Sequence, residues 1–311
     1  MKRTILFAVL LSLLTVSVSA QKAKAPKRQG WNNESYGPLY GNVESITIIK
    51  YKLTDKFGEI IKNIEEKKVY KFNQQGDVIE EARYNSNGSL SYKDLRKYDS
   101  KGNLIEVAHY NSNGSLYDKS LYKYDSKGNE IEWASYNSDG SLNYKWLYKY
   151  DSQGNEIEVA RYNSNGSLSY KDLREYDSKG NMIEWAYYNS DGSLGWKYLY
   201  KYDSKGNKIE EASYNSDGSL YYKVLYKYDS KGNMIEIAGY NSGGSLDGKG
   251  LCKYDSQGNM IEEAGYNSDG SLSCKQLHKY DSQGNWIEKT RYDDEIMKPT
   301  SIVVREIVYR K

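Results

Sequence analysis

Two histidines, two cysteines and a ladder of carboxylates are the residues of this chain with obvious chemistry, and their placing argues against most of it. His109 and His278 fall in slots that other copies of an internal repeat fill with Ser, Arg or Tyr. A working base needs an oriented partner, and no Ser-His-Asp or Cys-His arrangement accompanies either. Both read as solvated strand residues. Glu106 recurs in every copy, which marks a structural ladder and not one acid tuned for one reaction. Turns such as Asn137-Ser138-Asp139-Gly140 have the look of calcium loops. A calcium loop of the helix-loop-helix type needs an acid two residues earlier and a Glu at its twelfth position, where Ser135 and Trp146 stand. Turn chemistry is the reading. The expectation is a protein that is not an enzyme and needs no cofactor or metal.

What remains is aromatic. Tyr144, Trp146, Trp196, Tyr198 and Tyr222 occupy slots that vary from copy to copy. They are the candidate ligand contacts, able to stack on the sugar rings of a glycan, each weak alone and stronger through repetition. The Tyr residues at constant slots read as cross-strand packing.

These residues ride on a repeat. Tyr recurs every 26 residues from Tyr84 to Tyr266, and a second Tyr from Tyr98 to Tyr280. The first opens Tyr-Asn-Ser-x-Gly-Ser, the second Tyr-Asp-Ser-x-Gly-Asn. Asp99 to Asn103 has the chemistry of a type I turn closed by a glycine bulge, Asp99 capping the turn amides and Gly102 taking the left-handed conformation. Strand-length segments separate the turns. The spacing predicts an all-β fold: an antiparallel hairpin meander forming a single twisted, spiralling sheet.

If both turns keep simple register, Tyr98 faces Leu104, Arg96 faces Glu106, Ala108 faces Asp118 and Ile105 faces Leu121. Glu106, Ala108, Tyr110 and Tyr124 then share a face with Tyr144, Trp146 and Trp196. Ile105, Leu121, Lys119 and Lys123 share the other. There Trp133 opposes Lys145 as a cation–π pair, and Arg174 opposes Glu184 as a charge pair. A pairing row advances 24 residues where the repeat advances 26, a slip of two residues per hairpin and a tilt of roughly 35°. Bulges in the longer strand are the competing account, absorbing the slip and flattening the ribbon. In the simple register Cys252 and Cys274 lie two strands apart, at roughly 12 Å. That is beyond disulfide reach, so two free thiols are expected.

The domain organisation follows. Residues 1–20 read as a signal peptide, with Lys2 and Arg3 ahead of an apolar stretch and Val18-Ser19-Ala20 for cleavage. Residues 21–38 form a basic flexible tail, 39–83 an N-terminal β cap, 84–291 eight hairpin repeats of 26 residues, and 292–311 a C-terminal β cap. The cap strands are expected at Val43 to Leu53, Ile60 to Phe72 and Ile302 to Tyr309, the last covering the open edge. A periplasmic or extracellular protein is expected, with no integral membrane contact after signal cleavage. Net charge of +2 gives no basic footprint for nucleic acid. Tyr is abundant, 34 against 3 Phe, which suits sheets wetted on both sides.

Tyr122-Lys123-Tyr124-Asp125-Ser126-Lys127-Gly128-Asn129 resembles the YD repeats of the Rhs family, and the pattern recurs intact at residues 148–155, 200–207 and 226–233. The resemblance runs from about residue 72 to 292. It implies hairpins in long spiralling sheets, sometimes shells around a toxin, and carbohydrate binding by the repeats. The chain is less similar to MORN repeats, whose hairpins are shorter and richer in glycine. Together these readings point to a non-catalytic exported protein that binds a polysaccharide through Tyr and Trp. The alternative is a structural or adhesive protein whose partner is another surface protein.

Overall fold

The computed structural model describes Trp31, residues 37–293 and residues 298–311, so the signal peptide and most of the basic tail lie outside the described residues. No described residue is helical. Two long strands open the fold, β1 (Val43–Lys56) and β2 (Glu59–Phe72), followed by β3 (Val78–Tyr84). The repeats supply β4 (Leu90–Tyr98), β5 (Leu104–Asn111), β6 (Leu116–Tyr124), β7 (Glu130–Asn137), β8 (Leu142–Tyr150), β9 (Glu156–Asn163), β10 (Leu168–Tyr176) and β11 (Met182–Asn189). They continue with β12 (Leu194–Tyr202), β13 (Lys208–Asn215), β14 (Leu220–Tyr228), β15 (Met234–Asn241), β16 (Leu246–Tyr254), β17 (Met260–Asn267), β18 (Leu272–Tyr280) and β19 (Trp286–Asp293). β20 (Pro299–Tyr309) is the last described strand.

The turns are built as their residues require. Asp99 N–H donates to Asn103 O at 2.9 Å, Gly102 sits at φ 84°, and the Asp99 carboxylate takes the amides of Lys101 and Asn103. Asn111 to Ser115 repeats the backbone pattern, with Asn113 accepting from Ser115. All Asp-type turns therefore lie on one rim and all Asn-type turns on the other.

The sheet is not open. Each strand pairs antiparallel with the next, and β20 pairs with both β19 and β1, closing a barrel of 20 strands. Thr47 stands opposite Glu306 across that seam. The expected last strand exists, but it joins the two ends of the sheet where the sequence reading had it cover a free edge.

Closure follows from shear. The row Leu95, Ala108, Lys119 advances 24 residues over two strands while the repeat advances 26, so the two-residue slip is real. Bulges are present too, one beside every turn from β2–β3 onward. Tyr98 opposes Leu104, but Lys97 then opposes Glu106, skipping Ile105. Tyr110 opposes Leu116, and His109 then opposes Asp118, skipping Tyr117. Successive bulges displace the register equally on either side of each strand, so they leave the slip intact. A constant tilt of roughly 35° over 20 strands gives a barrel roughly 35–40 Å across.

The bulges overturn the simple register, and a one-residue shift moves every side chain to the other face. Arg96 opposes Val107 and pairs with Glu81, while Glu106 pairs with Lys97. Arg174 opposes Trp185, not Glu184. Trp133 opposes Trp146, and Lys145 lies instead over the Tyr162 ring. Glu106, Ala108, Tyr110, Leu121, Lys119 and Lys123 share one face; Val107, His109, Tyr122, Trp133, Tyr144, Trp146 and Trp196 share the other. The candidate contacts thus lie opposite the Glu–Ala–Tyr column they were grouped with.

Crowding shows which face is concave. On the variable face Trp146 of β8 and Tyr170 of β10 have ring centroids 5.4 Å apart, although β9 runs between them. Side chains converge like this only on the inside of a curved wall. The constant face is the outside, where Lys123, Lys149 and Lys201 are two-thirds exposed and pair with Glu132, Glu158 and Glu210. The outer Tyr column lies under lysines, as Lys93 over Tyr110 at 6.0 Å. The inner column is structural in another way: Tyr124 Oη–H donates to Leu104 O at 2.8 Å and Tyr150 Oη–H to Glu130 O at 2.7 Å. These carbonyls lie just past the end of the ladder between β5 and β6, and its equivalents, so the phenols close a gap in the wall. A core forms where Trp31 and Leu39 cover the inner side chains Ile46, Ile48, Tyr70 and Phe72 of β1 and β2.

Candidate functional site

The inner wall carries one unbroken tract of aromatic rings from β6 to β12. Tyr122 stacks on Trp133 at 6.2 Å, and Trp133 on Trp146 at 5.8 Å. Trp146 meets Tyr170, Tyr170 meets Tyr187 at 5.0 Å, and Tyr187 stacks on Trp196 at 5.2 Å. Trp196 returns to Trp185 at 5.0 Å, Trp185 stacks on Tyr198 at 5.7 Å, and Tyr198 on Tyr200 at 6.2 Å. Tyr144 joins edge-on to Trp133 at 5.9 Å.

Because equivalent repeat positions lie at equal height, the tract has a shape. Tyr122 and Tyr200 stand low, near the rim of Asp turns. Trp133, Trp146, Trp185 and Tyr198 stand at mid-height, and Tyr144, Tyr170, Tyr187 and Trp196 form a crown near the rim of Asn turns. The result is an arch.

Charged side chains of β9 and β10 lie level with the crown and beneath it. Arg161 covers the Tyr144 ring at 4.5 Å and donates to Ser169 Oγ at 3.3 Å. Arg174 pairs with Glu156 and lies over the Trp185 ring at 5.7 Å. Asp172 is 6% exposed, and burial pushes its carboxyl up to about 6. Nearby on β7, burial pushes Glu130 up to about 7, offset in part by the Tyr148 hydroxyl.

Four of the five candidate contacts belong to the arch: Tyr144, Trp146, Trp196 and Tyr198. All four are half-buried, not exposed. Tyr222 lies apart on β14, its ring folded over Gly239, where a Cβ would collide with the phenol. Sequence reasoning missed Tyr170, Trp185 and Tyr187 as contacts, along with Asp172, Arg161 and Arg174. Tyr170 and Asp172 fall in the candidates' own 26-residue columns and Arg174 lies on the same strand, whereas Trp185, Tyr187 and Arg161 fall in columns that the misplaced register put on the other face.

His109 is the partly solvated strand residue the sequence implied, its side chain 35% exposed, whereas His278 is not solvated. His109 Nδ1 lies 2.6 Å from Asp94 Oδ1, and this hydrogen bond raises the imidazole pKa. His278 Nε2 lies 3.2 Å from Glu263 Oε1 on the inner wall, its side chain 5% exposed, and burial lowers its pKa. Lys289 beside it is pushed down to about 8 by burial. Cys252 and Cys274 are free and buried, in register with Glu263 and Gly265.

No protein family matches the chain, and no curated protein is similar to it. The YD-repeat resemblance therefore stays one of hairpin motif. Among solved structures, a porin-like protein from Bacteroides uniformis is similar at 10% identity and a TM-score of 0.38, with 86% of this chain and 98% of that chain covered. A porin-like protein from Bacteroides vulgatus is similar at 13% identity and 0.27, with 83% and 97% covered. The Photorhabdus luminescens Tc holotoxin pore is similar at 13% identity and 0.29, with 80% of this chain but only 19% of that chain covered. These likenesses are in strand arrangement and are low. Nothing about function follows from them.

Proposed function

We propose that this chain is an exported, non-catalytic β-barrel that binds a glycan or cell-wall polymer on the aromatic arch of its inner wall. The arch itself carries the reading. Sugar rings present flat C–H faces that stack on aromatic faces, and charged side chains placed among the rings hydrogen-bond the hydroxyls. A linear polymer would engage several such platforms at once.

The barrel works in water in this reading, periplasmic or extracellular, and does not span a bilayer. A membrane barrel needs an apolar outer band about 25 Å tall. The outer wall here carries lysines at mid-strand, such as Lys119, Lys223 and Lys275 beside Glu106, Glu210 and Glu262, as well as a Lys–Glu pair near the Asp-turn rim of hairpin after hairpin. Each lysine near the midplane of a bilayer would cost about 2–4 kcal/mol.

The test is a panel of soluble glucan, mannan and xylan, read by isothermal titration. Binding that falls at least tenfold in Trp196→Ala and Tyr198→Ala supports the reading. Binding of no polysaccharide, or unchanged binding in both variants, refutes it.

A further inference from the structure

Residues Ala82–Arg96 and Ala160–Arg174 are identical in sequence, a stretch of 15 residues present twice. The molecule thus contains its own control for every side chain within it. Asp94 and Asp172 are equivalent, both on the inner face and both 6% exposed. Their surroundings differ. Asp94 opposes His109 and bonds to it at 2.6 Å, with Arg96 Nη2 at 3.9 Å. Asp172 opposes Tyr187 where the first copy has His109, and Val159 where the first copy has Glu81. Arg174, the counterpart of Arg96, turns away to Glu156, whose place in the first copy is held by Val78.

Asp172 is therefore left without a hydrogen-bond or ion-pair partner among the described residues, and its Oδ1 is fully enclosed. The Trp185 indole N–H is near enough to ease its ionisation but does not reach hydrogen-bonding geometry with it. A buried polar group with no partner is costly, and a chain that already carries the paired version elsewhere has no need to leave one unpaired.

We propose that Asp172 is the polar anchor of the arch, its carboxylate accepting hydrogen bonds through Oδ2, the oxygen that is not enclosed, from the hydroxyls of a pyranose stacked on the surrounding rings. This rests on the glycan reading above and sharpens it to a polyol ligand, with the rings supplying area and Asp172 supplying orientation. A hydroxyl donates to an ionised carboxylate through a charge-assisted bond, stronger than one between neutral groups. Because burial raises the Asp172 pKa to about 6, the anchor is ionised at neutral pH and is lost as pH falls through that value.

The experiment compares D172N with D94N in the full chain, on two readouts. For affinity, titration with the same glucan, mannan and xylan is expected to fall about tenfold in D172N and to hold in D94N. The wild-type affinity is expected to weaken between pH 7 and 5 while that of D172N does not. For stability without ligand, D172N is expected to raise Tm by roughly 2 °C, since it removes an uncompensated charge, and D94N to lower it. Unchanged polysaccharide affinity in D172N overturns the proposal, as does a Tm that falls in both variants alike. If the wild type binds none of the polysaccharides, the glycan reading fails. The Tm comparison then still decides whether Asp172 is held against stability.

Discussion

The hydroxyl of Tyr202 donates to the carbonyl of Met182, 20 residues earlier, at 2.8 Å. The same bond joins Tyr176 to Glu156 and Tyr228 to Lys208 at 2.8 Å, so the second Tyr of the repeat locks each hairpin to the one before it. Tyr202→Phe keeps the ring and deletes the bond, leaving a backbone carbonyl unpaired. The expected loss is about 1 kcal/mol in urea unfolding. A loss no larger than that of Tyr214→Phe, on the outer face, would contradict the role given to the phenol.

Closure is tested at the seam. Thr47 and Glu306 oppose each other on the outer face of β1 and β20. Cysteines at both positions are expected to oxidise to an intramolecular disulfide without loss of folded protein, since paired residues lie within disulfide reach. A chain whose ends spiral apart would leave both thiols free by mass spectrometry.

The barrel is also expected to tolerate a change of size. Each hairpin adds two strands and two residues of shear together, so the tilt is unchanged when one is removed. Deleting residues 136–161 is expected to give a folded barrel about a tenth narrower by solution scattering. An insoluble or unfolded product would mean that the caps accept only one circumference.

Acidity acts on the inner wall in a defined direction. Burial raises Glu130 to about 7 and Asp172 to about 6, so in this range the folded chain holds protons that the unfolded chain has released. Stability from these groups therefore rises as pH is lowered from 8 toward 5. His109, raised by its bond to Asp94, adds in the same sense: its contribution is complete below the unfolded value near 6.5 and is lost as pH rises through the folded one. His278, lowered by burial, opposes it. The turn aspartates, such as Asp203 held low by Asn207, are lost only in stronger acid. Glu130→Gln is expected to shrink the gain in urea midpoint between pH 8 and 5.5. An equal gain in wild type and variant would remove Glu130 from the account.

Much of the fold was legible because turns write themselves in short-range chemistry. Asp99, Gly102 and Asn103 specify their turn without reference to anything distant, and the strand ends followed. The bulges were not legible. Ile105 reads as an ordinary strand residue opposite Leu121, yet it is skipped by the ladder and 37% exposed. That single residue inverts the faces, and with them the company kept by Trp146 and Trp196. Closure was hidden for a different reason: the slip per hairpin was visible, but whether the slip ends in a spiral or a ring depends on β20 finding β1, across 250 residues of chain. Within the site, the variable Tyr and Trp slots stood out. Asp172 did not, because its sequence surroundings are those of Asp94, and only the neighbouring strand tells them apart.

The central claim is that the inner face, and not the outer one, binds a polysaccharide. It is tested most directly by isothermal titration of a bound soluble glucan, mannan or xylan into four variants: Trp196→Ala and Tyr198→Ala on the inner wall, Tyr136→Ala and Tyr162→Ala on the outer. The expected result is a loss of at least tenfold in each inner variant and less than twofold in each outer one. A loss confined to the outer pair, or equal in all four, would contradict it.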